Sequence, residues 1–100
     1  MSRTEELLNY VRSHVSSREL LAVIAEESAE LTQAALKLRR VGSKEHPTPK
    51  PINELYDNFE EEIADVFLCV KVLGMDISTP ICMEKLERWV RRLEAANDRH

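Results

Sequence analysis

Two acidic clusters sit where a helical repeat calls for apolar side chains, and they constrain the fold more than any other feature of the chain. The first is Glu26, Glu27 and Glu30 in AEESAEL; the second is Glu61, Glu62 and Asp65 in EEEIADV. Around the first, Leu20, Val23, Ile24, Leu31, Ala34, Ala35 and Leu38 recur at the spacing of one helix face, and Glu27 shares that face with Ile24 and Leu31. Around the second, Leu55, Tyr56, Phe59, Ile63, Val66, Val70 and Leu73 mark a face, and Glu62 lies one turn from both Phe59 and Val66. Both glutamates are therefore expected to point inward or along the edge of a core.

Residues three apart on a helix are neighbours, so Glu27 with Glu30, and Glu62 with Asp65, each present a carboxylate pair. Four converging carboxylates raise one another's pKa, and burying them unpaired costs several kcal/mol. A hard divalent cation removes that cost. No His or Cys falls at ligand spacing within either cluster, so the all-oxygen donor set favours Mg²⁺, with Mn²⁺ as the second choice.

The rest of the chain frames these clusters with helices. Leu7, Leu8 and Val11 predict a short helix from about Thr4 to His14. Ser16 and Glu19 fit a capping box opening a long second helix that runs to Arg40 or Val41, where Gly42 stops it. Its basic end, Lys37, Arg39 and Arg40, suits the helix dipole and equally suits phosphate. Residues Gly42 to Pro51 hold three of the four prolines and predict a loop, whose Lys44, His46 and Lys50 are candidates to fold over an anionic ligand. A third helix is expected from about Asn53 to Leu73, closed by Gly74, and Thr79-Pro80 is a good start for a fourth, with a frayed end from Asn97 to His100. Residues Val66 to Val70 are apolar around most of the helix circumference, which predicts burial on several sides at a bundle centre or a subunit interface.

One domain covering 1–100 follows from the length, and two glycines with few β-branched runs argue against a sheet. The expected architecture is all-α: a four-helix bundle-like protomer, with a long antiparallel hairpin and flanking helices, that assembles as a homodimer or homotetramer. A net charge of −4 disfavours a general nucleic-acid surface. Cys69 and Cys82 are not in a CxxC arrangement and are expected to be reduced thiols in a cytoplasmic protein. Neither a signal segment nor a bilayer-length apolar run is present, so no membrane role is expected.

The pattern EExxE, a spacer, then ExxD resembles the MazG-like all-α nucleoside triphosphate pyrophosphohydrolases. It reads here Glu26-Glu27-Ser28-Ala29-Glu30 and Glu62-Ile63-Ala64-Asp65, followed by the apolar run DVFLCVKVLG. The resemblance covers roughly Ser17 to Gly74. In the fourth helix, Lys85 and Arg92 match a Lys and an Arg that such proteins often carry, while Trp89 stands where an Asn is common. The resemblance implies hydrolysis of the α-β phosphoanhydride of a nucleoside triphosphate to the monophosphate and pyrophosphate, a form of nucleotide-pool housecleaning. Glu27, Glu30, Glu62 and Asp65 are then the metal ligands. Glu26, with Glu61 as the weaker candidate, orients or deprotonates the attacking water. Lys85, Arg92 and Lys37 neutralise phosphate oxygens, and Trp89 or Tyr56 stacks on the base.

Two readings from other classes compete with this one. A carboxylate-bridged di-iron bundle needs Glu-x-x-His pairs, and His14, His46 and His100 all lie outside the acidic helices. A non-catalytic helical regulatory or interaction module that binds nucleotide or metal keeps the same acidic helices without turnover.

Overall fold

The computed structural model describes residues 1–41 and 50–98. Among them the chain forms four helices, α1 (Arg3–His14), α2 (Ser17–Arg39), α3 (Ile52–Val72) and α4 (Pro80–Asp98), and no strand. The all-α expectation holds. The loop candidates Lys44 and His46 lie outside the described residues.

Local chemistry sets each boundary. α1 opens with a full capping box, in which the Ser2 hydroxyl accepts from the Glu5 N–H at 3.2 Å and the Glu5 carboxylate accepts from the Ser2 N–H at 3.2 Å. The apolar periodicity alone did not point to that cap. α2 starts where Ser16 predicts, the Ser16 hydroxyl accepting from the Glu19 N–H at 3.1 Å. α3 ends at Gly74, whose φ of +85° lets the Gly74 N–H reach the Lys71 carbonyl and the Met75 N–H reach the Val70 carbonyl. A Cβ added at Gly74 meets nothing within 4 Å, so only backbone strain opposes a side chain there. Gly74→Ala is therefore expected to cost about 1 kcal/mol, lowering Tm by roughly 4–8 °C for a domain of this size, as read by thermal circular dichroism.

α2 and α3 form an antiparallel pair. Glu30 meets Glu62, Glu27 lies near Asp65 and Cys69, and Leu20 lines one cavity with Phe67, Cys69 and Val72, so one helix rises as the other descends. Leu20 and Ala34 of α2 and Leu55 and Cys69 of α3 are the buried apolar residues, with Ile24, Leu31, Phe59 and Val66 half-buried beside them. α1 packs on α3, and Arg12 ties them together: its guanidinium donates to the Val72 carbonyl at 2.9 Å and to the Lys71 carbonyl at 2.6 Å, satisfying two acceptors at the end of α3.

The structure departs from the expected four-helix bundle in α4, which packs on none of the other three helices. It has no buried residue, and Trp89 and Leu93 are 63% and 55% exposed. Residues Asn97 and Asp98, expected to fray, are still helical. The apolar segment Val66 to Val70 is covered on one side only. Cys69 is buried and Val66 and Val70 are half-buried, whereas Phe67 and Leu68 are 58% and 55% exposed. Periodicity identifies an apolar surface without saying what covers it, and among the described residues Phe67 and Leu68 are left largely uncovered. The accessible surface of 8391 Å² exceeds by about 2,600 Å² the ~5,800 Å² typical of a folded monomer of 11.5 kDa. The radius of gyration, 17.7 Å, likewise exceeds the ~13 Å of a compact domain of this length.

Candidate functional site

The carboxylates meet midway along the α2–α3 pair because the apolar stripes that hold the helices together are interrupted at matching heights. Glu27 occupies the turn between Ile24 and Leu31 on α2, and Glu62 the turn between Phe59 and Val66 on α3. Both are half-buried, while Glu30 and Asp65 are exposed. One carboxylate oxygen from each of Glu27, Glu30 and Glu62 lies within 4.8 Å of the others. Asp65 is outside that trio, yet its charge acts on both Glu27 and Glu62.

Electrostatics at this point are unfavourable for the bare anions. Burial, then the charges of Glu30 and Asp65, a hydrogen bond with Glu30 and the charge of Glu62 push the Glu27 carboxyl up to about 7. The Glu62 carboxyl is also raised, first by burial and then by the charge of Glu30 and a hydrogen bond with it. Oε2 of Glu27 and Oε2 of Glu62 are both shielded from solvent and have no hydrogen-bond partner. Among the described residues, no Lys or Arg forms an ion pair with any of these carboxylates, and the ion pair present, Arg88 with Glu84 at 3.5 Å, lies within α4. Glu27 and Glu62 thus keep their inward placement at the cost of a more tightly held proton, or of a cation supplied from outside.

The donor set fits a hard divalent ion. Six oxygens at ~2.1 Å from Mg²⁺ stand roughly 3.0–4.2 Å from one another in an octahedron, and the three carboxylate oxygens, all within 4.8 Å of one another, would need only small side-chain shifts to reach such separations. Glu27, Glu30 and Glu62 are the residues able to hold such an ion, with Asp65 one helical turn beyond Glu62 as the additional donor.

The remaining candidates are less close. Glu26 and Glu61 are exposed and outside the trio, although the charge of Glu61 contributes to raising Glu62. Lys37 lies ten residues along α2 from Glu27, about 15 Å of helix rise. Tyr56 is 53% exposed and sits nearly two turns before Glu62. Lys85, Trp89 and Arg92 are on α4, and no contact of α4 with α2 or α3 brings them to the carboxylates within one chain.

Cys69 was not singled out as part of this region by sequence reasoning. Its thiol is pushed up by burial and then by the charges of Glu27 and Asp65, which keeps it protonated and unreactive beside the acidic centre. The signal available was spacing, since Cys69 follows Asp65 by four residues and Glu62 by seven.

Among the described residues no helix is long and apolar enough to cross a membrane. In comparisons with family models, curated proteins and solved structures, none matches the chain.

Proposed function

We propose that the chain is a Mg²⁺-dependent nucleoside triphosphate pyrophosphohydrolase, with Mn²⁺ an acceptable substitute, that converts a nucleoside triphosphate and water to the monophosphate and pyrophosphate. The reading places it in the cytoplasm as a homodimer or homotetramer of the MazG-like kind. The observation that supports it best is the convergence of Glu27, Glu30 and Glu62 from two helices onto one point, with two shielded oxygens lacking any partner. The EExxE and ExxD pattern that resembles those hydrolases falls on the same residues.

A divalent cation bound there supplies charge neutralisation to the triphosphate and acidifies water near it. The chain's own residues supply the rest. Glu27 and Glu62 are fixed by the packing of the helix pair, so the centre is organised before substrate arrives. Glu26, beside Glu27 and open to solvent, is the group in this reading that orients or deprotonates the attacking water. Lys85 and Arg92 neutralise phosphate oxygens once α4 is brought to the centre, and Lys37 is the third cation. Trp89 and Tyr56 are the aromatic faces available to a base.

A test is pyrophosphate release from a panel of ribo- and deoxyribonucleoside triphosphates with Mg²⁺, with Mn²⁺ and with EDTA. Metal-dependent release from a subset is the expected result, and no release from any of them by folded, metal-bound protein would remove the assignment.

A second reading, a non-catalytic metal- or nucleotide-binding module, is favoured by one observation: the α4 cations do not approach the carboxylates within a chain. It predicts nucleotide binding without pyrophosphate release. Equilibrium dialysis alongside the turnover assay distinguishes the two.

A further inference from the structure

Among the described residues, two apolar surfaces of this chain lack partners. The first is a groove of about 490 Å³ at the end of the helix pair, where α1 leans on α3. Leu8 and Val11 of α1, Leu20 of α2, and Phe67, Leu68 and Val72 of α3 form most of its wall, and Lys71 is the one charged residue among those lining it. The second is the stripe Cys82, Leu86, Trp89, Val90 and Leu93 on α4, spaced so that all five fall on one helix face. Glu87 and Glu94 flank that stripe on its Val90 side and are opposite in charge to Lys71 of the groove.

The connection between the two surfaces is built rather than slack. Gly74 ends α3, the Asp76 carboxylate accepts from the Ser78 N–H at 2.7 Å and from the Ser78 hydroxyl, and the Thr79 hydroxyl donates to the Asp76 carbonyl at 3.1 Å. The Met83 N–H then bonds to the Thr79 carbonyl at 3.0 Å as α4 begins. Beyond this ordered turn α4 contacts none of the helices that line the groove, and it begins eight residues after the groove residue Val72.

We propose that α4 of a second copy of this chain seats its Leu86, Trp89, Val90 and Leu93 stripe in the groove between α1 and α3, and that the exchange is reciprocal. The proposal deepens the homo-oligomer reading given above and rests on it; it does not depend on the catalytic assignment. Area favours a second copy as the occupant. The surplus of about 2,600 Å² of surface per chain is roughly three times the ~800 Å² that each partner contributes to a standard interface. One operation covers both surfaces at once. A two-fold relation makes the contact self-complementary, so the assembly closes instead of growing into a filament.

The experiment uses the full chain in two steps. Light scattering after gel filtration reports the mass; a dimer or tetramer is expected, and a monomer at micromolar concentration overturns both this proposal and the homo-oligomer reading. An isotope-filtered nuclear Overhauser measurement on a mixture of labelled and unlabelled wild-type protein then locates the contact. Expected are intermolecular signals from the Trp89 ring and Leu93 to methyls of Leu8, Val11 and Leu68. An oligomer whose intermolecular signals come only from other surfaces, or in which those groups meet within one chain, overturns the seating while leaving oligomerisation intact. As an independent check, Val11→Lys and Val90→Glu are each expected to dissociate the homodimer, and mixing the two variants to restore a heterodimer. A mass unchanged by Val90→Glu contradicts the proposal.

Discussion

Replacing Glu62 by Gln is expected to lower Mg²⁺-dependent pyrophosphate release by about 100-fold or more, since even residues behind the metal ligands commonly cost 10–100-fold when changed. The same substitution is expected to leave the helices intact and to raise the Tm of the metal-free protein at pH 8 by several degrees. Both effects share a cause. Glu62 is half-buried with an unpartnered Oε2, and burial together with Glu30 makes its charge unfavourable when no cation is bound. Gln keeps the shape and removes the charge. Loss of turnover with gain of apo stability is the signature of a functional carboxylate kept against stability. If Glu62→Gln instead destabilises the metal-free protein, Glu62 is serving as a structural partner, and undiminished turnover would remove it from the centre.

The second large effect concerns pH, and its sign follows from Glu27. The folded-state pKa, about 7, lies above the ordinary carboxyl value of 4.5, so between those values the folded chain holds a proton that the unfolded chain has released. The contribution of this group to stability is therefore fully present below pH 4.5 and is lost as pH rises through 7. The Glu27→Gln variant isolates this contribution. It is expected to flatten the fall in metal-free Tm between pH 5 and pH 8 that the wild type shows. A divalent cation acts with the opposite pH dependence, because ligation needs the carboxylates ionised. Millimolar Mg²⁺ or Mn²⁺ is thus expected to raise the wild-type Tm at pH 8 and to do little at pH 5. A pH profile unchanged by Glu27→Gln would contradict the burial and charge crowding inferred for this side chain.

The helix pair was legible in the sequence because its determinants are local. Ser16, Gly74 and the Thr79-Pro80 step act through backbone geometry that each residue type fixes by itself, and they place three of the boundaries within one or two residues. The inward aim of Glu27 and Glu62 was legible for the same reason, since a helix face is defined by spacing alone. Meeting of the two clusters followed once the helices were assumed antiparallel. What spacing does not encode is the neighbour. The fourth helix was expected in the bundle, and Val66 to Val70 at a bundle centre or a subunit interface, yet α4 packs on no other helix and Phe67 and Leu68 face solvent. The positions of Lys85, Trp89 and Arg92 relative to the carboxylates depend on that same undetermined packing, so their roles were readable only through resemblance. Arg12 illustrates the limit from the other side. Its bonds to the carbonyls of Lys71 and Val72 join residues about sixty apart, and nothing in either local pattern announces them.

The measurement that bears most directly on the central claim, that Glu27, Glu30 and Glu62 form a divalent-cation centre, is calorimetric titration of Mn²⁺ into nucleotide-free protein at pH 7, run in two buffers of different ionisation enthalpy. Wild type is expected to bind saturably and to release protons as it does so, because Glu27 is partly protonated at that pH and must ionise to ligate. The Glu62→Gln protein is expected to lose most of that affinity. Absence of saturable binding in the wild type, or binding of equal strength and proton release in Glu62→Gln, would contradict the account.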